Sequence, residues 1–240
     1  METNEDGFTR ANVEAVCATG ESSKKASAED DHIGEKGFGF KSVFSIADDV
    51  HVQSGVWSFR FQHQRGDDGL GMVTPLHADA VILPRDVTTR ITLHLTKAAT
   101  EEYQGLLDAV TNLPETTIFF LQKLEQFQIH VTDQDGKVTK TRFEKTPLDI
   151  STSTVQLRHY RERKDKTVLD ESLYRCFTHV IGDMPETEYR KGRKSARIDL
   201  AFPVESQSQK PKLSKYGQYV FAFLPLQRVQ GIQVCSFCQK

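Results

Sequence analysis

Gly34-Glu35-Lys36-Gly37-Phe38-Gly39-Phe40-Lys41-Ser42-Val43-Phe44 is the stretch that decides how the rest of this 240-residue chain is read. Three glycines within six residues let the backbone come close to a ligand and take up positive φ angles. Phe40, Val43, Phe44 and Ile46 follow at helical spacing, which predicts a glycine-rich turn running into a short helix. Such a junction aims free N–H groups and the positive end of a helix dipole at one point. That suits an anion, most naturally a phosphate. Two well-known phosphate loops do not fit. A Walker loop needs Gly, Lys and Ser adjacent, and Phe40 separates Gly39 from Lys41. A kinase loop needs HRD and DFG tripeptides downstream, and the chain has neither. On the glycines alone, a tight turn that packs a helix on a sheet explains the stretch equally well.

Upstream, Thr9 reads as a helix N-cap, Val13, Val16 and Cys17 follow at helical spacing, and Gly20 closes the segment. Glu21 to His32 is small and polar and reads as a mobile loop. Downstream, Val50 to Gln53, Trp57 to Phe61 and Thr89 to Thr96 alternate as half-buried strands do. Tyr103, Leu106, Leu107 and Val110 mark a helix, and Phe127, Ile129 and Val131 a strand. Asp135-Gly136 then predicts a hairpin back into Lys137 to Phe143. Beyond Pro147 the pattern weakens, although Val155 to Tyr160, Ala196 to Val204 and Gln218 to Leu226 remain strand-like. The composition shifts near residue 145, giving expected domains 1–145 and 146–240. Strands with interspersed helices point to an α+β sandwich.

Bulk composition narrows the function classes. Lys plus Arg total 31 against 33 for Asp plus Glu, so the net charge of −2 argues against nucleic acid as a partner. The tyrosine-bearing basic clusters at 158–166 and 189–197 are interrupted by acids or short, and read as solvated faces. No apolar run approaches the ~18 residues of a membrane helix, and nothing near Met1 reads as a signal peptide. The expectation is therefore no membrane partner and an intracellular location, cytoplasmic or nuclear. Four cysteines are too few for a disulfide scaffold, and the lone Cys235-x-x-Cys238 lacks a second pair of metal ligands. No HExxH or GxSxG motif is present.

Taken in order, Asn4-Glu5-Asp6-Gly7-Phe8, Ser22-Ser23-Lys24 and Ile33 to Phe44 resemble the GHKL family of ATP-binding domains, shared by gyrase, the ninety-kilodalton heat-shock chaperone, histidine kinases and MutL. The likeness is closest to the branch containing sacsin and NO VEIN. Ile118-Phe119-Phe120-Leu121-Gln122-Lys123-Leu124 and Val220-Phe221-Ala222-Phe223-Leu224-Pro225-Leu226 are similar to that branch as well. The resemblance implies a Bergerat-type two-layer α/β sandwich, a mixed and mainly antiparallel sheet covered by helices, followed by the start of a second α+β segment. It implies ATP as the ligand, with magnesium. Gly34, Gly37, Gly39, Phe40, Lys41 and Ser42 match the family's glycine-rich lid hinge, whose amides hold the β- and γ-phosphates. Ser22, Ser23 and Lys24 match the polar stretch near the ribose and phosphates, with Glu21 to His32 as the lid. Gly7 matches the second glycine of the DxGxG box. Thr89 matches the threonine that lies near the adenine, with Thr88 in place of the family's glycine.

Three departures qualify what is implied. The family's general-base Glu and magnesium-binding Asn lie on a helix ahead of the DxGxG box, and only three residues precede Asn4. The end of the chain, Cys235 to Lys240, likewise falls where the branch continues into another strand. The expectation is thus a fragment that binds ATP without hydrolysing it, with no catalytic or metal-binding side chain assigned. Thr3 also stands where the family has its adenine-reading Asp. The implied role is an ATP-binding, chaperone-like or scaffold module whose partners are nucleotide and protein clients. Two other readings are a protein-interaction module that has lost nucleotide, and a nucleic-acid-associated ATPase of the MutL type.

Overall fold

The structure is a computed structural model. It describes residues 1–18, 39–63, 66, 69–119, 121, 123–149, 153–163, 166–185, 195–206, 208, 210–212, 218–222, 224–229 and 235–238. The chain divides into two compact units, Met1–Leu106 and Leu107–Lys240.

In the first unit the alternating stretches form strands where their pattern places them. β1 (Glu2–Thr3), α1 (Arg10–Cys17), a 3-10 turn (Phe40–Ser45), β2 (Ala47–Ser54), β3 (Trp57–Gln62), a second 3-10 turn (Leu70–Met72), β4 (Leu76–His77), β5 (Thr89–Leu95) and α2 (Lys97–Glu101) follow in order. The five strands make one antiparallel sheet in the order β1-β5-β2-β3-β4. Pairing sets Val52 between Phe59 and Ile91, and Val50 between Phe61 and Leu93, so these side chains share one face. Val50, Val52 and Phe61 are fully buried there. Val13, Val16 and Cys17 of α1 and Phe40, Val43 and Phe44 of the turn pack on that face. Thr9 starts α1 by a capping box, its Oγ1 accepting from the Asn12 N–H while the Asn12 side chain accepts from the Thr9 N–H.

α3 (Tyr103–Thr111) straddles the division. The second unit continues with a buried 3-10 turn (Glu115–Ile118), β6 (Gln126–Thr132), β7 (Val138–Asp149), β8 (Thr154–Arg163), β9 (Lys166–Ile181), β10 (Ala196–Val204), β11 (Gln218–Ala222), β12 (Leu224–Val229) and β13 (Cys235–Cys238). These form an eight-stranded sheet in the order β12-β11-β13-β10-β9-β8-β7-β6, antiparallel except for β11 beside β13. Its core is Ile118, Phe143, Leu157, Tyr174 and Ala201. Direct pairing of Phe127, Phe143 and His159 across β6, β7 and β8 builds an aromatic ladder with ring centroids 4.5 and 4.2 Å apart.

The expected helix-covered α/β sandwich is not what forms. The protein is mostly β, two sheets with few helices. The α-helices among the described residues are α1, α2 and α3, of eight, five and nine residues, and none contains a fully buried side chain. The physical reason lies in the segments themselves. The helical-period runs are too short to lay a full stripe on a sheet. The weakly patterned region after Pro147 is strand, because its inward positions carry polar residues that hide the alternation. β8 points His159 into the core beside Leu157, and β9 points Ser172 inward beside Tyr174. The expected boundary near residue 145 falls inside β7. No helix among the described residues is long and apolar enough to cross a membrane.

His159 carries a testable consequence. It is 4% exposed, and neither ring nitrogen has a hydrogen-bond partner among the described residues. Burial, reinforced by Arg161 and opposed by Asp170, holds its pKa down at about 4, from an ordinary 6.5. The folded state therefore binds fewer protons than the unfolded chain between pH 6.5 and about 4. Stability must fall as pH drops through that window, by up to about 1.4 kcal/mol per pH unit. His159→Phe extends the ladder without a titrating group. Thermal melts at pH 7 and pH 4.5 should show a smaller acid loss for the variant than for the wild type. Equal losses would show that the imidazole titrates normally.

Candidate functional site

The site residues expected from sequence that the structure describes are Gly7, Gly39, Phe40, Lys41, Ser42 and Thr89. Ser22, Ser23, Lys24, Gly34 and Gly37 lie outside the described residues, as does the expected lid, Glu21 to His32.

Gly7 and Thr89, more than eighty residues apart in sequence, come together at one end of the first sheet. β1 pairs Thr3 with Thr89, and β2 pairs Ser54 with the same Thr89. Directly opposed residues project to one side, so Thr3, Thr89 and Ser54 form a row of hydroxyls across three strands. The row is the last rung of the face that carries Ile91, Val52 and Phe59 below it. Ser54 Oγ and Thr89 Oγ1 lie 2.6 Å apart, both buried. The Phe8 N–H donates to Ser54 Oγ at 2.8 Å, which ties the segment after Gly7 to the row. The chain closes around it through Thr88 N–H to Thr3 O at 2.9 Å and Gly55 N–H to Thr88 O at 3.2 Å.

Gly7 is required by this geometry. Its φ is +85°, and a Cβ there would stand 3.0 Å from Thr88 Cγ2 and 3.4 Å from Ser54 Oγ. The Thr88 methyl thus occupies space beside the glycine. Ser54 was not singled out in sequence. Its only signal was its position as the last residue of an alternating strand before Gly55. Thr3 Oγ1 is buried and accepts or donates no hydrogen bond among the described residues. The neighbouring Glu2 turns to the other face and pairs with Arg90 Nη2 at 2.5 Å.

The glycine-rich stretch is described from Gly39 onward. Residues 40–45 form a 3-10 turn rather than an α-helix, with Phe44 buried against Phe61 at 6.1 Å. Gly39 has right-handed φ and ψ of −57° and −48°, and a Cβ there would meet nothing within 4 Å among the described residues. Ser42 is exposed, its Oγ donating to Gly39 O at 2.7 Å.

Lys41 is turned inward. Its Nζ donates to Val16 O at 2.5 Å and to Met72 O, and lies 5.1 Å from the centre of the Phe61 ring. Val16 is in the last turn of α1, so the ammonium satisfies a carbonyl that the helix cannot. Burial lowers the Lys41 pKa and Cys17 opposes the shift. Burial likewise raises the Cys17 pKa. Lys41→Met keeps the stem on the rings but strands both carbonyls. It should destabilise the first unit by about 1–3 kcal/mol, read as a lower melting temperature. An unchanged melt would mean that the ammonium is free.

One similarity stands out. Protein NO VEIN of Arabidopsis thaliana is 38% identical to this chain over 84 residues. The match covers 35% of this chain and 3% of the plant protein, so the chain spans a small fraction of that relative's length. No family model matches, and no solved structure matches. The similarity to NO VEIN agrees with one branch of the expected resemblance.

A surface recess lies at the far end of the first sheet, lined by Ile46, Ala99, Glu101, Glu102, Gln104 and Gly105. Ile46 precedes β2 and Ser54 ends it, so recess and hydroxyl row occupy opposite ends of that strand. Two carboxylates and no basic group line the recess, which suits no phosphate. The described residues hold no cluster of three or more His, Cys, Asp or Glu able to bind a metal ion.

Proposed function

We propose that the first unit is an ATP-binding module of the GHKL type, with the nucleotide base at the end of the sheet near Thr3, Gly7 and Thr89. The observation that carries the reading is the junction of Gly7 with Thr88 and Thr89. Two stretches that resemble the family's DxGxG and Gly-Thr boxes meet where Gly7 lies against the Thr88 methyl and Thr3 pairs with Thr89. The donor set suits a purine. Thr3 Oγ1 is buried with unused hydrogen-bonding capacity, and a hydroxyl both donates and accepts. Gly39 supports the phosphate end. Neither its backbone angles nor the described residues around it demand glycine, which leaves close approach by a ligand as a reason for its identity. ATP with magnesium would bring its own charge to that end.

In this role the module binds rather than hydrolyses. Lys41 is committed to two carbonyls and Glu2 to Arg90, so neither supplies a base or a free cation at the hydroxyl row. The wider role is chaperone-like or scaffolding, within a larger protein of the NO VEIN kind. Lys41 also favours a second reading, an interaction module without nucleotide, because the one basic residue of residues 39–42 serves packing.

A thermal-shift series separates the two. A ligand that binds only the native state at a hundredfold excess over its dissociation constant adds about 2.7 kcal/mol. ATP should raise the melting temperature with and without magnesium, while a phosphate-release assay stays at background. No shift up to millimolar ATP would favour the interaction module. Release that depends on Gly37 and Gly39 would show that a base is present.

A further inference from the structure

We propose that the β6 edge of the second unit pairs with β6 of a second copy of this chain, antiparallel about a two-fold axis at Ile129, so that the two eight-stranded sheets become one. β6 is the terminal strand of its sheet. Its hydrogen bonding shows which groups are available. The Lys145 N–H donates to Glu125 O at 2.8 Å and the Asp133 N–H to Lys137 O at 3.0 Å, on either side of an unbroken register with β7. Antiparallel neighbours alternate between exchanging both bonds and turning both groups away. Phe127, Ile129 and Val131 therefore bond to β7. Gln126, Gln128, His130 and Thr132 turn their N–H and C=O groups outward, where no backbone bond among the described residues meets them.

Edges of this kind are usually blunted by charge, proline, a bulge or brevity. The edge strands of the first sheet, β1 and β4, are two residues each. β6 has seven residues, none charged and none proline, and a regular register. It is an undefended template for strand addition.

The sequence of the edge is complementary to itself. About Ile129, Gln126 meets the partner's Thr132 and Gln128 meets the partner's His130, which uses all four outward-facing residues on each side. Phe127 and Ile129, half-buried at the end of the core face, meet the partner's Val131 and the partner's Ile129. Just outside the strand, Glu125 falls opposite the partner's Asp133, a like-charge pair at each end that opposes association. An unrelated extended peptide could use the backbone groups but would lack these matched side chains. One seven-residue strand buries less than the ~800 Å² per partner of a standard interface, so the dimer is weak.

Sedimentation equilibrium of the full chain over about 5–500 μM should show a monomer–dimer equilibrium. Gln128→Pro removes an outward N–H and leaves the bonds to β7 intact, so it should weaken dimerisation at least about tenfold with an unchanged melting temperature. Glu125→Lys turns the like-charged ends into opposite-charge pairs with the partner's Asp133 and should strengthen dimerisation severalfold. A chain monomeric throughout the range overturns the proposal. So does a dimer indifferent to Gln128→Pro, an association that Glu125→Lys weakens or leaves unchanged, or an edge that takes up only an added heterologous peptide.

Discussion

Gly71→Ala is expected to unfold the first unit or to leave it folded by a narrow margin. Gly71 lies in the 3-10 turn Leu70–Met72, and a Cβ there would sit 1.9 Å from Gln62 O and 2.9 Å from Gln62 C. These are backbone atoms of the residue that ends β3, so no rotamer change relieves the overlap. One strand end or the turn must move. Overpacking in a well-filled site costs about 1–3 kcal/mol, and a clash with backbone belongs at or above the top of that range. The damage would spread, because the next residue, Met72, supplies a carbonyl to Lys41, and Lys41 also holds the end of α1. Trp57 is the single tryptophan of the chain and sits in β3, so its fluorescence reports this unit. The melting temperature should fall by roughly 4 °C or more for each kcal/mol lost. A variant that melts within about 2 °C of the wild type would show that the turn does not approach β3 so closely.

Phe143→Ala should be as damaging in the second unit. The ring is fully buried, stacks on Phe127 at 4.5 Å and on His159 at 4.2 Å, and sits in a core with Ile118, Leu157 and Tyr174. Removing a buried phenyl group typically costs about 3–5 kcal/mol, with the lost ring contacts on both faces favouring the upper end. Phe143→Leu keeps much of the volume and should cost less than half as much. Urea denaturation followed by circular dichroism separates the two variants. A loss under about 1 kcal/mol for the alanine would mean that the ladder is loosely packed.

Much of the first sheet was legible because its inward residues are apolar without interruption. Val50 and Val52, Phe59 and Phe61, and Ile91 and Leu93 announce three strands and the face they share. Thr9 announced the start of α1 for an equally local reason. The second unit was harder to read. Its longest strand, β9, runs sixteen residues with Asp170, Ser172 and Cys176 at positions where an alternating pattern needs apolar groups. Such residues are tolerated inside because neighbouring strands satisfy or cover them. Arg161 pairs with Asp170 across two strands, and Tyr174 donates to Glu115 at 3.3 Å. Glu115 stands 59 residues from Tyr174, so no window of residues reveals that partner, and the nearer Arg161–Asp170 pair shows only once β8 and β9 are set in register. The same blindness explains the helical layer that did not form. Family likeness at residues 4–44 carried an expectation of covering helices that the segment lengths do not support.

The candidate site divides in the same way. That Gly7 and Thr89 belong to one place followed from matching two short motifs, and β-pairing brings them together. Lys41 shows the limit of such matching. In sequence it is a cation in a glycine-rich loop. In space it is a staple between α1 and the turn at Met72. Ser54 has no motif and enters only through register.

Calorimetric titration of ATP into the wild type and into Gly39→Val asks whether one nucleotide site joins the hydroxyl row to the glycine-rich stretch. No described residue crowds a side chain at Gly39 and its backbone is right-handed, so the substitution should leave the Trp57-monitored melt in place. The account predicts saturable binding to the wild type and at least about a tenfold loss, some 1.4 kcal/mol, in the variant. Absence of binding to the wild type at millimolar ATP, or equal affinity in a folded Gly39→Val, would contradict it.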